Sequence, residues 1–529
     1  MGLGLGVLLT LAIPVETGQK AGLTPSLLST IYHTGVFFAW SALFGIILLV
    51  VSAWLILRPG PSTNPVNSFF GKWEWLALAA PPAAVWTAYL LAFWPAVMSF
   101  DSLGQWTQLQ TGNFNNWHPV FHTLTEWALT RLIESPAMVA ATQVAVLSGV
   151  VGWALASMRR IGLPTGTAWL ISGAVALFPA NGITVITLWK DIPYAITVLV
   201  FGVIILREVD GRNSLIDKRR GWVLVAGVAA LMSLYHHAGL MIAIGSLGIL
   251  WLAKRQRAII GAALMVLIVV AVVQGGLYRA IGVSGTEHSG ITGAVTHHIA
   301  AHLANGTELT TQEQSRVAEL IPITGSSWYD CEQINSMVFN PNFDVNSMHE
   351  QAADARSLWW SLFTRDPGVD LDHLACKSHI VWHIRQVPGG HHYVTQLVQR
   401  ADGVSTILEN DLGLKLDPIV SSLTGPLADV IINTQRPLVS WFFWRGALFL
   451  YVLVLGAAVA AVRARDWRYW AIVAPPVLVA VTLVLAAPAQ DYRYMYPVVL
   501  SGMILGPYLL FGVARREPNT DIDKSEVAN

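Results

Sequence analysis

Long apolar runs separated by short polar loops constrain this chain more than any other feature. A helix that crosses a bilayer needs about 20 mostly apolar residues. Runs of that kind lie at about 31–57, 74–98, 136–157, 165–187, 192–206, 221–236, 238–253, 258–277, 438–461, 469–488 and 495–513. Only 12% of the 529 residues are charged, and 54% are hydrophobic. Soluble domains carry about 25% charged residues. The expected fold is an all-α polytopic membrane protein with about eleven spans, or about twelve if residues 1–14 also cross. Met1–Pro14 is apolar but lacks a basic start, so it reads poorly as a signal peptide. Twenty-two Trp suit belts at the two membrane surfaces. Zero formal net charge gives no global pull toward nucleic acid.

Cations in the short loops set the expected orientation. Arg58 and Lys72 share one loop, and Arg159 and Arg160 another. Further groups are Arg207, Arg212, Lys218, Arg219 and Arg220; Lys254, Arg255 and Arg257; Arg463, Arg465 and Arg468; and Arg515 and Arg516. With the runs above, all of these fall on one side, read as cytoplasmic. The other side then receives the Asp101–His118 loop, the turns at Lys190-Asp191 and His236-His237, the segment Gln490–Tyr494, and a polar insert at 283–437. The expected organisation is a bundle at 1–282 with a functional loop at 99–135, the extracytoplasmic insert, C-terminal spans at 438–516, and a polar cytoplasmic tail at 517–529. The insert reads as mostly helical, with a helix starting at Thr310 or Thr311, an apolar segment from Ser357, and a helix over Leu371–Val387. Its Cys331 and Cys376 can be a disulfide or two buried thiols.

Polar residues at the ends of apolar runs are the candidate functional groups, because ionisable side chains at membrane depth are costly and usually kept for function. The stretch Phe100–Trp106 and Asn115–Pro119 carries Asp101, Gln105, Trp117 and His118 between two amphipathic pieces. Asp101 can be a helix cap, a general base, or both. His118 can precede a Pro-started helix or bond a substrate. Lys190 can pair with Asp191 or bind an anionic head group. Arg493, flanked by Tyr492 and Tyr494, suits a phosphate at the interface. His236 and His237 sit in a tight turn, with hairpin satisfaction and substrate contact both open. His297, His298 and His302 include a His-x-x-x-His pair without the Glu of a zincin, so no metal site is assigned.

Phe100-Asp101-Ser102, Trp117-His118-Pro119, Trp189-Lys190-Asp191-Ile192-Pro193 and Arg493-Tyr494-Met495-Tyr496-Pro497 together resemble the GT-C superfamily of integral-membrane glycosyltransferases, specifically its poorly characterised bacterial multipass members. The resemblance implies a polyprenyl-phosphate sugar as donor, an envelope glycan, lipid or protein as acceptor, and a multi-pass place in the bacterial plasma membrane. It implies Asp101 as the acid that activates the acceptor, with Lys190 and Arg493 on the lipid phosphate. His118 joins Asp101 as a catalytic candidate, and Gln105, Trp117, Asp191, His236, His237 and Tyr494 are substrate-binding candidates. Many members carry a paired acid, whereas Ser102 and Leu103 follow Asp101 here. No cofactor is therefore assigned, and a divalent cation stays open. Alternative functions are a lipid-linked glycan flippase or other transporter, and a glycan polymerase or ligase. Transporters often show matching halves with broken helices, and no such symmetry is visible. No Walker or Rossmann glycine motif appears either.

Overall fold

The computed structural model describes residues 42–514 apart from 44, 59–70, 212–213, 218–219, 285–288, 322–327, 345–347, 349, 396 and 401–402. The expectations for residues 1–14 and 517–529, and for Arg212, Lys218, Arg219, Arg515 and Arg516, lie outside the described residues. The protein is all-α and polytopic, with one two-stranded antiparallel hairpin, β1 (Val398–Arg400) and β2 (Gly403–Ser405), among the described residues.

Six described helices are long and apolar enough to cross a membrane: Gly71–Ala92, Pro136–Arg159, Asp191–Asp210, Arg257–Ala280, Ala447–Ala464 and Tyr492–Phe511. The pair Thr165–Leu177 and Pro179–Val185, bent by 64°, is apolar enough for a broken span or a re-entrant loop. Pro179 starts the second piece, and an X-Pro step disfavours helical backbone before it. Four further apolar runs form shorter helices, Gly45–Leu57, Gly221–Tyr235, Gly239–Lys254 and Ala474–Ala486. Each of the eleven expected apolar runs thus holds an apolar helix among the described residues, six of them long, one a bent pair and four short. Local breaks cut the runs. His236 is extended between two helices, and Arg255 ends the second in a left-handed conformation.

For the site, α1 is Glu74–Ala92, α2 Phe100–Thr111, α3 Val120–Thr130, α4 Pro136–Arg159, α5 Asp191–Asp210, α6 Gly221–Tyr235 and α7 Tyr492–Phe511. α5 is central: 83% of its apolar window is buried, against 22% for Arg257–Ala280 at the edge. α5 packs on α4, α6 and α7. α4 meets α1 at Gly152, where an added Cβ would lie 2.0 Å from the Trp75 carbonyl oxygen. A side chain there would push the two spans apart. α2 and α3 form the amphipathic pair expected between spans. Gly112 ends α2 in a left-handed turn at φ 71, which favours glycine.

The insert is not uniform. Residues between Ile299 and Leu362 form their own small core, whereas Ile380, Val381, Ile407, Ala428 and Ile431 join the main core. Thr310 caps the helix Thr311–Leu320 through a reciprocal bond pair with Glu313. The expected helix over Leu371–Val387 is instead Pro367–Lys377 followed by the short His379–Trp382. Cys331 and Cys376 are disulfide-bonded.

All five segments assigned to one side meet at one end of the bundle. The insert is stitched there by Ile334 N–H to the Pro488 carbonyl (2.9 Å), Gln490 Nε2 to the Lys377 carbonyl (2.8 Å), and a β-bridge between Tyr393 and Asp491. At the opposite end Arg463 donates to the carbonyls of Leu55 (2.7 Å) and Val513 (2.9 Å), and Lys254 to that of Glu208 (2.8 Å).

Candidate functional site

Asp101 is not the cap of α2. Ser99 is: its hydroxyl accepts from Ser102 N–H at 3.4 Å, and Ser102 Oγ accepts from Ser99 N–H at 3.3 Å. The capping expectation for Asp101 is corrected on that geometry. Asp101 stands in the first turn, where the helix end favours negative charge.

The start of α2 is fixed to the turn before α5. Ser102 Oγ donates to the Leu188 carbonyl (2.8 Å), and Trp189 Nε1 donates to Ser99 Oγ (2.8 Å). Val97 N–H bonds the Ile186 carbonyl, and Leu188 N–H bonds that of Val97. The Gln143 amide of α4 donates to the carbonyls of Val185 and Thr187, both at 2.9 Å. This lattice places Trp189 and Lys190 beside Asp101.

Arg493 enters from the first turn of α7. Asp491 caps that helix, its carboxylate accepting from Arg493 N–H at 3.1 Å. The guanidinium donates to Asp101 Oδ2 at 2.5 Å and pairs with Asp491 Oδ2 at 3.0 Å. It lies over the rings of Trp189 and Tyr494, each 5.1 Å from the ring centre, and Nη2 donates to the Tyr494 hydroxyl at 3.3 Å. His118 Nε2 is 3.5 Å from Asp101 Oδ1. Lys190 Nζ is 3.5 Å from Asp191 Oδ2, so the expected neighbour pair is formed. Asp101, His118, Lys190, Asp191, Arg493 and Tyr494 are thus brought together from four separate stretches of chain.

Charge in this cluster is tightly coupled. Burial works against the Asp101 carboxylate, but His118, Arg493 and Lys190 outweigh it and hold the carboxyl well below its usual range. Burial, with Lys190 next, lowers His118, so its imidazole is neutral at neutral pH. Burial, reinforced by Asp191 and Asp101, pushes Asp491 up to about 6 despite Arg493.

The remaining candidates have mixed placements. Gln105 is buried and its amide donates to Thr123 Oγ1 at 2.8 Å, tying α2 to α3. His236 Nδ1 accepts from Ala238 N–H at 3.2 Å, which satisfies the hairpin turn, and its ring stacks on Tyr194 at 4.5 Å. His237 Nε2 lies 3.2 Å from the Trp117 carbonyl oxygen, closing that turn over the α2–α3 loop. Trp117 itself is exposed.

Sequence reasoning passed over Trp189 and Asp491, which flank Arg493, and over His122 and Glu126. The signal for the last two was present: His122 and Glu126 stand four residues apart, hence on one face of α3. His122 Nδ1 is 3.8 Å from Glu126 Oε1, and both residues are buried. Neither carboxylate oxygen of Glu126 has a hydrogen-bond partner, and neither does His122 Nδ1. Burial pushes Glu126 well above the usual carboxylate range. Burial also lowers His122 to about 3.

The donor set does not suit a divalent cation. Among the described residues no three His, Cys, Asp or Glu side chains are grouped to hold one. Asp101 and Asp491 each give one oxygen to the Arg493 guanidinium. Compared with known proteins, the chain matches no family model, no curated protein and no solved structure.

Proposed function

We propose that this protein is a membrane glycosyltransferase that moves a sugar from a polyprenyl-phosphate donor to an envelope glycan, lipid or protein. On this reading it works from the outer face of a bacterial plasma membrane. The observation that carries the reading is the convergence of Asp101 and His118 on Lys190 and Arg493 at the ends of two spans, where an anionic lipid head group and a polar acceptor can meet.

The residues account for each event of the transfer. An acceptor oxygen bonds to the anomeric carbon as the bond from that carbon to the phosphate oxygen breaks. The bonding pair leaves with the phosphate, whose charge rises, and fixed cations at Lys190 and Arg493 stabilise it. The acceptor proton passes to a base. Asp101 is that base, with His118 beside it.

The resting ion pairs give the reaction an order. Arg493 holds Asp101 at 2.5 Å, and a carboxylate so held is a weak base. A donor phosphate that takes the Arg493 fork displaces Asp101 and restores its basicity. Donor binding then precedes acceptor activation, which guards against idle proton transfer. Trp189 and Tyr494, whose rings lie beside the guanidinium, hold it in place during the exchange.

The test is binding of a polyprenyl monophosphate to purified wild type, Lys190→Met and Arg493→Lys. Weaker binding in both variants is expected. Arg493→Lys keeps the charge but loses the planar fork, so it should also be impaired. Undiminished binding in both removes the phosphate site and this function with it.

A further inference from the structure

Orphaned polar atoms gather on one flank of the cluster around Arg493. Glu126 Oε1 and Oε2, His122 Nδ1 and the Tyr194 hydroxyl are all buried and have no hydrogen-bond partner. They are contiguous. His122 lies against Glu126, and its ring is 6.5 Å from that of Tyr235. Tyr194 stacks on His236. Tyr235 and His236, adjacent in the chain, join the two halves. Asp191, in the same helix as Tyr194, pairs with Lys190, so the group borders the cations.

Buried polar groups are almost always bonded, and an unbonded one demands an explanation. Four such atoms in one place, retained where apolar side chains would pack without cost, point to a ligand that completes them. Their chemistry specifies its class. A buried carboxyl with no hydrogen-bond partner, an imidazole and a phenol together offer hydrogen-bond donors and acceptors. A hydroxyl group likewise donates and accepts. An anion or a metal ion would be served by fixed charges, and this flank offers few.

We propose that Glu126, His122 and Tyr194 form the subsite for the hydroxyl groups of a neutral sugar, adjoining the cations at Lys190 and Arg493. This rests on the donor reading above and adds to it the place of the transferred group. Sugar hydroxyls would take the orphaned atoms while the attached phosphate reaches Lys190 and Arg493. Sites built to bond a hydroxyl discriminate strongly against ligands that lack it.

Two variants separate ligand binding from folding. Glu126→Leu and Tyr194→Phe remove polar ends that make no hydrogen bond, so neither loses a native hydrogen bond. Their thermal midpoints should equal or exceed that of wild type. The probes are a bare polyprenyl monophosphate and the same carrier phosphate bearing glucose, mannose, galactose or arabinose. Wild type should bind at least one sugar-bearing carrier about tenfold more tightly than the bare one, the worth of one or two buried hydrogen bonds. Each variant should lose most of that preference and keep its affinity for the bare carrier. A preference that survives in both variants overturns the subsite, as does a wild type that binds every sugar-bearing carrier no better than the bare one. Failure of wild type to bind any carrier overturns the donor reading and the subsite together.

Discussion

Arg493 shows how one side chain can carry several constraints. It satisfies Asp491 at the start of its own helix, Asp101 from another helix, and two aromatic faces. Asp101 is freed for that role because Ser99 does the capping. Asp101→Asn should therefore leave the fold intact, since it removes neither a cap nor volume. Turnover of donor and acceptor should fall by about 10²–10⁴, the usual worth of acid–base catalysis. A steady-state assay of the purified variant checks this, and normal turnover would leave Asp101 a partner of Arg493 only. Lys190 poses a different question because its ion pair with Asp191 is local. Lys190→Met leaves Asp191 buried and unpaired, a costly state. Adding Asp191→Asn removes that cost. If Lys190 serves only Asp191, the double variant should recover activity; as a phosphate ligand it should not.

Among the elements, the insert carries its own pH sensitivity. His297 and His392 are lowered to about 4 and His383 to about 3, all chiefly by burial. Nearby Lys377 adds to the effect at His297, and Arg445 at His383 and His392. An unfolded chain takes up these protons near the ordinary value of 6.5, whereas the folded insert resists until about 3–4. The stability they contribute is full above about 6.5 and drains away as pH falls toward those folded values. Asp370 acts with the same sign at lower pH. Its oxygens accept from His298 (2.7 Å), His302 (2.8 Å) and Trp359 (2.8 Å), which keep it well below the usual range. Hydrogen exchange at pH 7 and pH 5 should show protection lost first in Ser289–Asn305 and His379–Trp382, with the long spans unchanged. Equal protection at both pH values would show that these imidazoles are not held neutral.

At the scale of the whole molecule, the site exists only because segments far apart in sequence end at the same level of the bundle. The same arrangement fixes a topological prediction. Thr111 and Gln312 are exposed, one at the end of α2 and one in the insert. Both native cysteines are disulfide-bonded, so single cysteines placed at these positions report alone. A membrane-impermeant thiol reagent applied to intact cells should label both. A third cysteine at exposed Trp467, beside the cation-rich loop, should stay unlabelled until the membrane is opened. Labelling of Thr111Cys and Gln312Cys from opposite sides would contradict the stitching of the insert to residues 488–491.

By itself the sequence determined the material and the period of the fold. Apolar runs must become helices in lipid, because no other open structure satisfies its own backbone there. The polar ends of those runs were legible for the same reason: charge at membrane depth is too costly to be incidental. Asp101, His118, Lys190 and Arg493 could be named on that ground. Tertiary structure alone decided which of them touch. Nothing in the local pattern distinguishes a carboxylate that caps its helix from one that reaches a guanidinium 392 residues away. Nor does it tell a straight apolar run from one bent at Pro179. His122 and Glu126 were missed because a helix face reads as amphipathic surface until neighbouring helices cover it. Packing then withdraws water from their polar ends, and that desolvation turns a surface pattern into a candidate site.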